Sequence, residues 1–419
     1  MSEGDAGWPR VLIVAPPPMN LLAGGGVTLH RMFSRWPASH LAQVYAEDVA
    51  PDASRASGYY RAVRPPTSIR PRLLRHVVGA GLVAAGRADV SIFGGRPSTA
   101  VRAFVDRFRP DVIFLILASH SLNSVARSLA KECGIPLVTW VPDDYLPSYP
   151  QRRMPGGRLG WRVMHEIVNR GARRVFAESA VHLGITEAMS REYWVRYGYD
   201  FTPIYNSVDM AAWPPRPLRE PGEGLRVVYS GSIFDTTQRD ALLDVRDAVA
   251  LLRERGVDAR LEVFSNDWRK PHLQAALERL PVSTLRALVP MEQVRANLQD
   301  ADVLVMPLSF DDTAKSYMRL SMPGKLAEFM ASGTPILAYG PPGTVQMEFV
   351  REQQAGLVVD HRSVPDLADA LDRLRTDGVL RERLSARERA VAADTFALTV
   401  VRSRFERAVC SAVGREPPA

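Results

Sequence analysis

Short runs of consecutive apolar residues, each bounded by charge, proline or glycine, alternate along this chain with stretches whose apolar positions repeat at helical spacing. The runs at residues 11–15 (VLIVA), 111–117 (DVIFLIL), 137–141 (LVTWV), 174–177 (RVFA), 225–229, 260–264, 302–306, 335–339 and 357–359 predict strands of a parallel sheet buried on both faces. Helices are predicted at 27–33, ending near Gly198, and at 239–255, 292–299, 323–331, 365–376, 381–395 and 396–413. The alternation is that of an α/β protein. With 419 residues the chain exceeds what one core supports, so two β/α domains are expected. Proline, glycine and charge accumulate between the halves. This places an N-terminal domain at 1–205, a linker at 206–224, a second domain at 225–395 and a C-terminal helix and tail at 396–419.

The stretch at 317–340, YMRLSMPGKLAEFMASGTPILAYG, makes one unit of polar loop, helix and apolar strand. Pro323 suits a helix start and Gly333 a helix stop, giving a helix over 323–331. Lys325 falls in its first turn and Glu328 three residues on, so both project from one face near the positive helix end. A cation among free backbone N–H groups can hold a phosphate, and a carboxylate one turn deeper can accept bonds from sugar hydroxyls. The same spacing equally suits a plain surface ion pair.

Two other corners offer chemistry. The strand at 11–15 runs through three prolines into Gly24, Gly25 and Gly26 ahead of a helix, an anion-friendly arrangement that is also a plain flexible connection. Asp143 and Asp144 stand at the carboxyl end of the strand at 137–141, where α/β folds place working residues; helix capping is the competing reading. Adjacent in extended chain, they point opposite ways and cannot form a carboxylate pair by themselves.

Composition narrows the class. Hydrophobic residues make up 46% and charged residues 24%, and 53 Lys and Arg against 46 Asp and Glu leave a net charge of +7. An excess of base suits phosphorylated small molecules, anionic lipid or nucleic acid. Aromatic–arginine interleaving and zinc-finger spacings are absent, so no nucleic-acid partner is expected. Cys133 and Cys410 are far apart in sequence and give no disulfide framework or metal site, as suits a reducing cytoplasm. The start MSEGDAGWPR lacks the basic-then-apolar pattern of a leader, and the apolar stretches are too short to span a bilayer. Cytoplasmic residence is expected. Arg61, Arg64, Arg70, Arg72 and Arg75 precede an apolar stretch, the makeup either of a segment lying on an anionic membrane face or of a solvated basic loop.

In this order, five passages resemble the family 4 glycosyltransferases of GT-B architecture, retaining enzymes with two facing Rossmann-like domains: GGGVTLHRMF; ITEAMSREYWVRYG with PIYNSVDMAAWPP; VVYSGSI; VRANLQDADVLVMPLS; and PGKLAEFMASGTPILAYG. The last is most similar to the branch found in bacterial surface-polysaccharide clusters. The resemblance covers nearly the whole chain. It implies that Glu328 holds the donor's ribose, that Lys325, Pro323 and Gly324 face its diphosphate and sugar, and that Ser230, Gly231 and Ser232 form the first donor loop. It further implies that Val289, Pro290 and Met291 grip the base, that Gly25 and Gly26 let the N-terminal backbone approach the sugar phosphate, and that Asp143 or Asp144 orients the acceptor.

Two positions depart from the family pattern. The first glutamate of its paired-glutamate element is Leu320 here, and the arginine and lysine of the first donor loop are replaced by Ser232 and by Thr237 or Gln238. Phosphate charge then falls to Lys325 with Arg239, Lys315 and Arg319. The expected reaction is retaining transfer of a sugar from a nucleotide diphosphate donor to a glycan or lipid-linked acceptor, without metal or other cofactor. Asp311 and Asp312, an adjacent doublet, do not make the D-x-D of metal-dependent transferases. A transferase acting on a small natural product, an epimerase or phosphorylase of the same fold, and a non-catalytic sugar-nucleotide binding protein are the alternatives.

Overall fold

The computed structural model describes residues 7–21, 24–62, 97–117, 120–144, 157–218 and 224–418. The chain divides into two units: one of Met1–Tyr205 with Val401–Ala419, the other Asn206–Val400. Arg64, Arg70, Arg72 and Arg75 lie outside the described residues; Arg61 is described and is paired with Asp48 at 2.7 Å.

The first unit is a parallel sheet in the order β3-β2-β1-β4-β5-β6-β7. Its strands are β1 (Val11–Val14), β2 (Leu41–Tyr45), β3 (Gly58–Arg61), β4 (Val112–Ile116), β5 (Leu137–Val141), β6 (Val181–Gly184) and β7 (Phe201–Pro203). Helices α1 (Gly24–Met32), α2 (Thr99–Phe108), α3 (His120–Cys133), α4 (Gly157–Glu178) and α5 (Glu187–Tyr197) join them. β1, β2, β4 and β5 are buried at every position, which explains why β1, β4 and β5 read so plainly as apolar runs.

The strand expected at 174–177 is instead the last turn of α4. Val168, Ala172, Val175 and Phe176 are buried at i, i+4, i+7 and i+8, the helical period, while Arg173 and Arg174 face out. Four residues are too few to separate the two periods, and the true strand follows at β6. The helix expected from residue 27 begins at Gly24, so the glycines form its first turn rather than a loop.

The second unit repeats the plan as β10-β9-β8-β11-β12-β13. It contains β8 (Gly224–Ser230), α6 (Arg239–Glu254), β9 (Asp258–Phe264), α7 (Pro271–Leu277), β10 (Ser283–Arg286), α8 (Met291–Gln299), β11 (Val303–Pro307), α9 (Asp312–Met318), α10 (Lys325–Ser332), β12 (Ile336–Tyr339), α11 (Val345–Glu352) and β13 (Leu357–Val359). Helices α12 (Val364–Thr376) and α13 (Gly378–Val391) follow. All its paired strands are parallel, and its core is built from the apolar faces of α6, α12 and the sheet. The strand order reverses between β8 and β11, and crevices in such sheets open at the carboxyl ends of the strands there.

The last helix, α14 (Leu398–Ser411), carries the chain back into the first unit. Phe405 packs edge-on against Phe33 at 4.9 Å and Phe114 at 5.4 Å, and Glu406 pairs with Arg35 at 3.3 Å. Where the chain enters and leaves the second unit, the Val208 N–H donates to the Phe396 carbonyl and the Leu398 N–H to the Val208 carbonyl, each at 2.8 Å. Among the described residues no helix is long and apolar enough to cross a membrane.

Candidate functional site

In the second unit the chemistry gathers where β8 ends and α10 begins. α10 starts at Lys325, with Gly324 as its cap and Pro323 just outside, two residues later than the proline alone suggested. Its far end stops at Gly333 with φ 70°, a left-handed position suited to glycine. Leu326, Ala327, Phe329 and Met330 are buried, which fixes the rotation of the helix and leaves Lys325 and Glu328 on its half-buried side.

The Lys325 ammonium lies 3.8 Å from the centre of the Tyr229 ring. Tyr229 is itself fully buried and its hydroxyl donates to the Ser232 carbonyl at 2.6 Å, so the aromatic face is held firmly beneath the cation. Lys325 as a whole is half-buried, and the protein crowded around its ammonium displaces water and pushes its pKa down to about 7. No carboxylate among the described residues comes within ion-pair distance of it.

Gly231 is what allows this approach. It sits at φ 150°, and a Cβ there would stand 2.8 Å from the Lys325 Nζ. Its N–H donates to the Phe264 carbonyl at 2.9 Å, which ties the loop to β9. Ser230 closes β8 and Ser232 is exposed beside it. The loop continues with Ile233, whose N–H donates to Asp267 at 3.0 Å, and Phe234, which is 58% exposed.

The remaining predicted residues are placed as follows. Arg239 is the first residue of α6, 3.9 Å from Asp240, and its buried Nε has no acceptor. Thr237, one of the positions where the lysine was expected, is buried, and its carbonyl accepts from the Ser309 N–H at 2.7 Å. Arg319 caps α9 and is half-buried, and Lys315 is exposed. Leu320 is 4% exposed, so the missing glutamate's place is filled by an apolar core residue. Val289 is half-buried and Pro290 caps α8, whose first residue is Met291; this loop follows β10 at the carboxyl edge of the same sheet.

Gly25, Gly26, Asp143 and Asp144 belong to the first unit. Cβ atoms on the glycines would lie 2.9 Å from Pro17 Cγ and 2.6 Å from the Pro18 carbonyl, so the proline loop packs directly on the start of α1. On α1, His30 sits 3.8 Å from Asp52, with its pKa lowered by burial and by Arg55. Asp143 is half-buried. Asp144 is fully buried, accepting from the Tyr193 hydroxyl at 3.0 Å and from both terminal nitrogens of Arg196 at 3.2 and 3.1 Å. The Asp144 carboxylate is thus an internal anchor between β5 and α5, desolvated and bidentately paired, whereas Asp143 keeps partial exposure.

Residues 224–377 match the family described as glycosyl transferases group 1. This part of the chain is a glycosyltransferase domain. Lys325, Glu328, Gly231, Tyr229 and the reversal of strand order all fall within it. No curated protein matches the sequence. Among solved structures, the chain resembles Anabaena Alr3699/HepE, solved with UDP and glucose, at TM-score 0.64 and 13% identity over 95% of this chain and 98% of that one. Sucrose-phosphate synthase from Thermosynechococcus elongatus aligns at TM-score 0.64 and 14% identity, covering 94% and 96%. WaaG, a glycosyltransferase involved in lipopolysaccharide biosynthesis, aligns at TM-score 0.61 and 13% identity, covering 95% and 99%. At such identities the likeness carries the fold, and the glycosyltransferase domain has the α/β, GT-B-type neighbours expected of it.

The residue that sequence reasoning missed is Tyr229. It reads as one more apolar position of a buried strand, and only the tertiary placement of α10 puts a cation on its face. Thr237 was noticed only as a departure; its backbone link to Ser309 depends on a contact more than seventy positions away.

Proposed function

We propose that the protein transfers a sugar, with retention at the anomeric carbon, from a nucleotide diphosphate sugar to a glycan or lipid-linked acceptor of a cell-envelope polysaccharide. The observation that carries this reading is Lys325: a lysine at a helix start, on the face of Tyr229 beneath Gly231, with no carboxylate among the described residues within ion-pair distance. A buried cation without a counter-charge is costly unless an anion arrives to pair with it. The first loop of the domain lacks the usual arginine and lysine, and Lys325 offers the charge from another element.

The chemistry follows from that placement. As the diphosphate leaves, negative charge grows on its oxygens, and a preorganised ammonium with N–H donors of the α10 start stabilises it. Glu328, one turn along, accepts from the ribose hydroxyls. The departing phosphate oxygen takes the acceptor's proton on the same face, with Asp143 as the candidate group that orients the acceptor. Because Lys325 supplies the positive charge, transfer proceeds without a metal ion. That HepE was solved with UDP and glucose supports a uridine nucleotide as the first donor to try.

A thermal-shift panel of nucleoside diphosphates and their sugars, with and without EDTA, tests the reading. A ligand at about 100 times its Kd raises native stability by roughly 2.7 kcal/mol. One nucleotide giving such a shift, unaffected by EDTA and lost in Lys325→Ala and Glu328→Ala, is the expected result. No shift with any nucleotide would sink it.

A further inference from the structure

Helices α4 and α5 pack side by side at one end of the first sheet. Tyr197 of α5 rests its ring 4.9 Å from Phe176 of α4 and donates its hydroxyl to Asn169 at 3.1 Å, and Arg173 of α4 lies 5.4 Å over the same ring. The inner face of α5 is buried through Met189 and Tyr193. Its outer face, at i, i+3 and i+4, is Arg191, Trp194 and Val195. All three are exposed, Trp194 at 53% and Val195 at 82%. On α4 the outward positions Ile167, Arg170 and Arg174 continue the surface, Ile167 at 37% exposure.

A bare tryptophan beside an almost fully bare valine contrasts with Trp8, Trp36 and Trp140 of the same unit, which are each under 5% exposed. Arg170 is matched by Glu166 at 2.7 Å, whereas Arg173, Arg174 and Arg191 meet no carboxylate among the described residues. Of the other acids on these two helices, Glu178 is taken up by Arg127 at 2.7 Å, Glu192 by Arg196 at 2.7 Å and Glu187 by the Tyr205 hydroxyl, so the charge left over is positive.

We propose that this face of α4 and α5 is a docking surface for an anionic lipid bilayer. Two arguments select that occupant. Tryptophan flanked by arginine is suited to the headgroup region, where the indole is half apolar and the guanidinium meets lipid phosphate. The apolar patch is also small: an aromatic side chain offers roughly 150–250 Å² in all, so half a tryptophan and two aliphatic side chains fall well short of the about 800 Å² per partner that a stable protein interface buries. A shallow insertion backed by charge needs no more. The inference is independent of the donor reading and adds to it the place where a lipid-linked acceptor would be met.

The test is co-sedimentation of the full chain with vesicles of phosphatidylcholine and phosphatidylglycerol (3:1) and with phosphatidylcholine alone, no nucleotide being present. The variants Trp194→Ala/Val195→Ser and Arg174→Glu/Arg191→Glu change exposed side chains, and their melting temperatures check folding. The expected result is binding to the anionic vesicles only, weakened at least tenfold in each variant. Quenching of tryptophan fluorescence by brominated anionic lipid should accompany it and be lost in Trp194→Phe. Absence of wild-type binding, undiminished binding of both variants, or no quenching that depends on Trp194 would overturn the proposal. So would sedimentation showing a dimer that Trp194→Ala dissolves, since the face would then belong to a second copy.

Discussion

Donor binding should draw a proton from solution, and the pH at which it does so is set by Lys325. In the free protein the ammonium is desolvated against Tyr229 and its pKa falls to about 7, from an ordinary value of 10.5. A diphosphate beside it favours the charged form and restores the pKa toward that value. Below pH 7 lysine is charged in both states and affinity is flat with pH. Above it, binding must first protonate the amine, so the apparent Kd rises about tenfold per pH unit, each unit being about 1.4 kcal/mol. At pH 9 the ceiling is therefore about a hundredfold, and the partial exposure of the residue screens part of it, leaving at least tenfold. A nucleotide sugar is the right ligand, because its phosphates do not titrate in this range. Isothermal titration at pH 8 in two buffers of different ionisation enthalpy should show close to one proton taken up, and none in Lys325→Met. The stability of the ligand-free protein has the opposite sign. Between the folded value near 7 and the unfolded value of 10.5 the unfolded chain holds more protons, so this group makes the native state more stable as pH rises through that window. Affinity that is constant from pH 6.5 to 9, with no proton uptake, would refute the argument.

Other perturbations follow from the same geometry. Gly231→Ala forces a side chain into φ 150° and to within 2.8 Å of the Lys325 ammonium, so nucleotide affinity should fall at least tenfold and stability by about 1–3 kcal/mol, read by thermal shift with and without ligand. Glu328→Gln removes a charged acceptor and should weaken donor binding by about 1.5–3 kcal/mol, read by thermal shift with ligand. Asp144→Ala strips Arg196 of its bidentate partner, leaving it only Glu192 at 2.7 Å, and takes the acceptor from the buried Tyr193 hydroxyl; a loss of about 3 kcal/mol in chemical denaturation is expected. Leu320→Glu, which restores the family's missing carboxylate, puts an unpaired charge into a position now 4% exposed and should destabilise the second unit by several kcal/mol rather than improve transfer.

What the sequence determined by itself was whatever depends on local period and local conformation. The fully buried strands β1, β4, β5, β11 and β12 declare themselves because a parallel strand covered on both faces must be apolar at consecutive positions. The amphipathic α6 and the helix that stops at Gly333 follow from spacing and from the one residue that tolerates a left-handed turn. Lys325 and Glu328 were legible as a pair for the same reason, since three residues on a helix always share a face. The short or mixed strands β2, β3, β6, β7 and β10 were not legible: a polar residue such as Gln43 is tolerated in β2 only because it bonds the Met19 N–H at 2.9 Å and the Pro17 carbonyl at 2.8 Å, contacts that no local window contains. Tertiary structure alone decided that residues 174–177 belong to the last turn of a helix, that Asp144 turns inward to Arg196, and that Phe405 closes the core of a unit some three hundred residues upstream. It also decided the state of Lys325. Sequence can place a cation at a helix start, but its proton affinity depends on how much water the fold leaves around it, and that is a property of packing between β8 and α10 rather than of either segment.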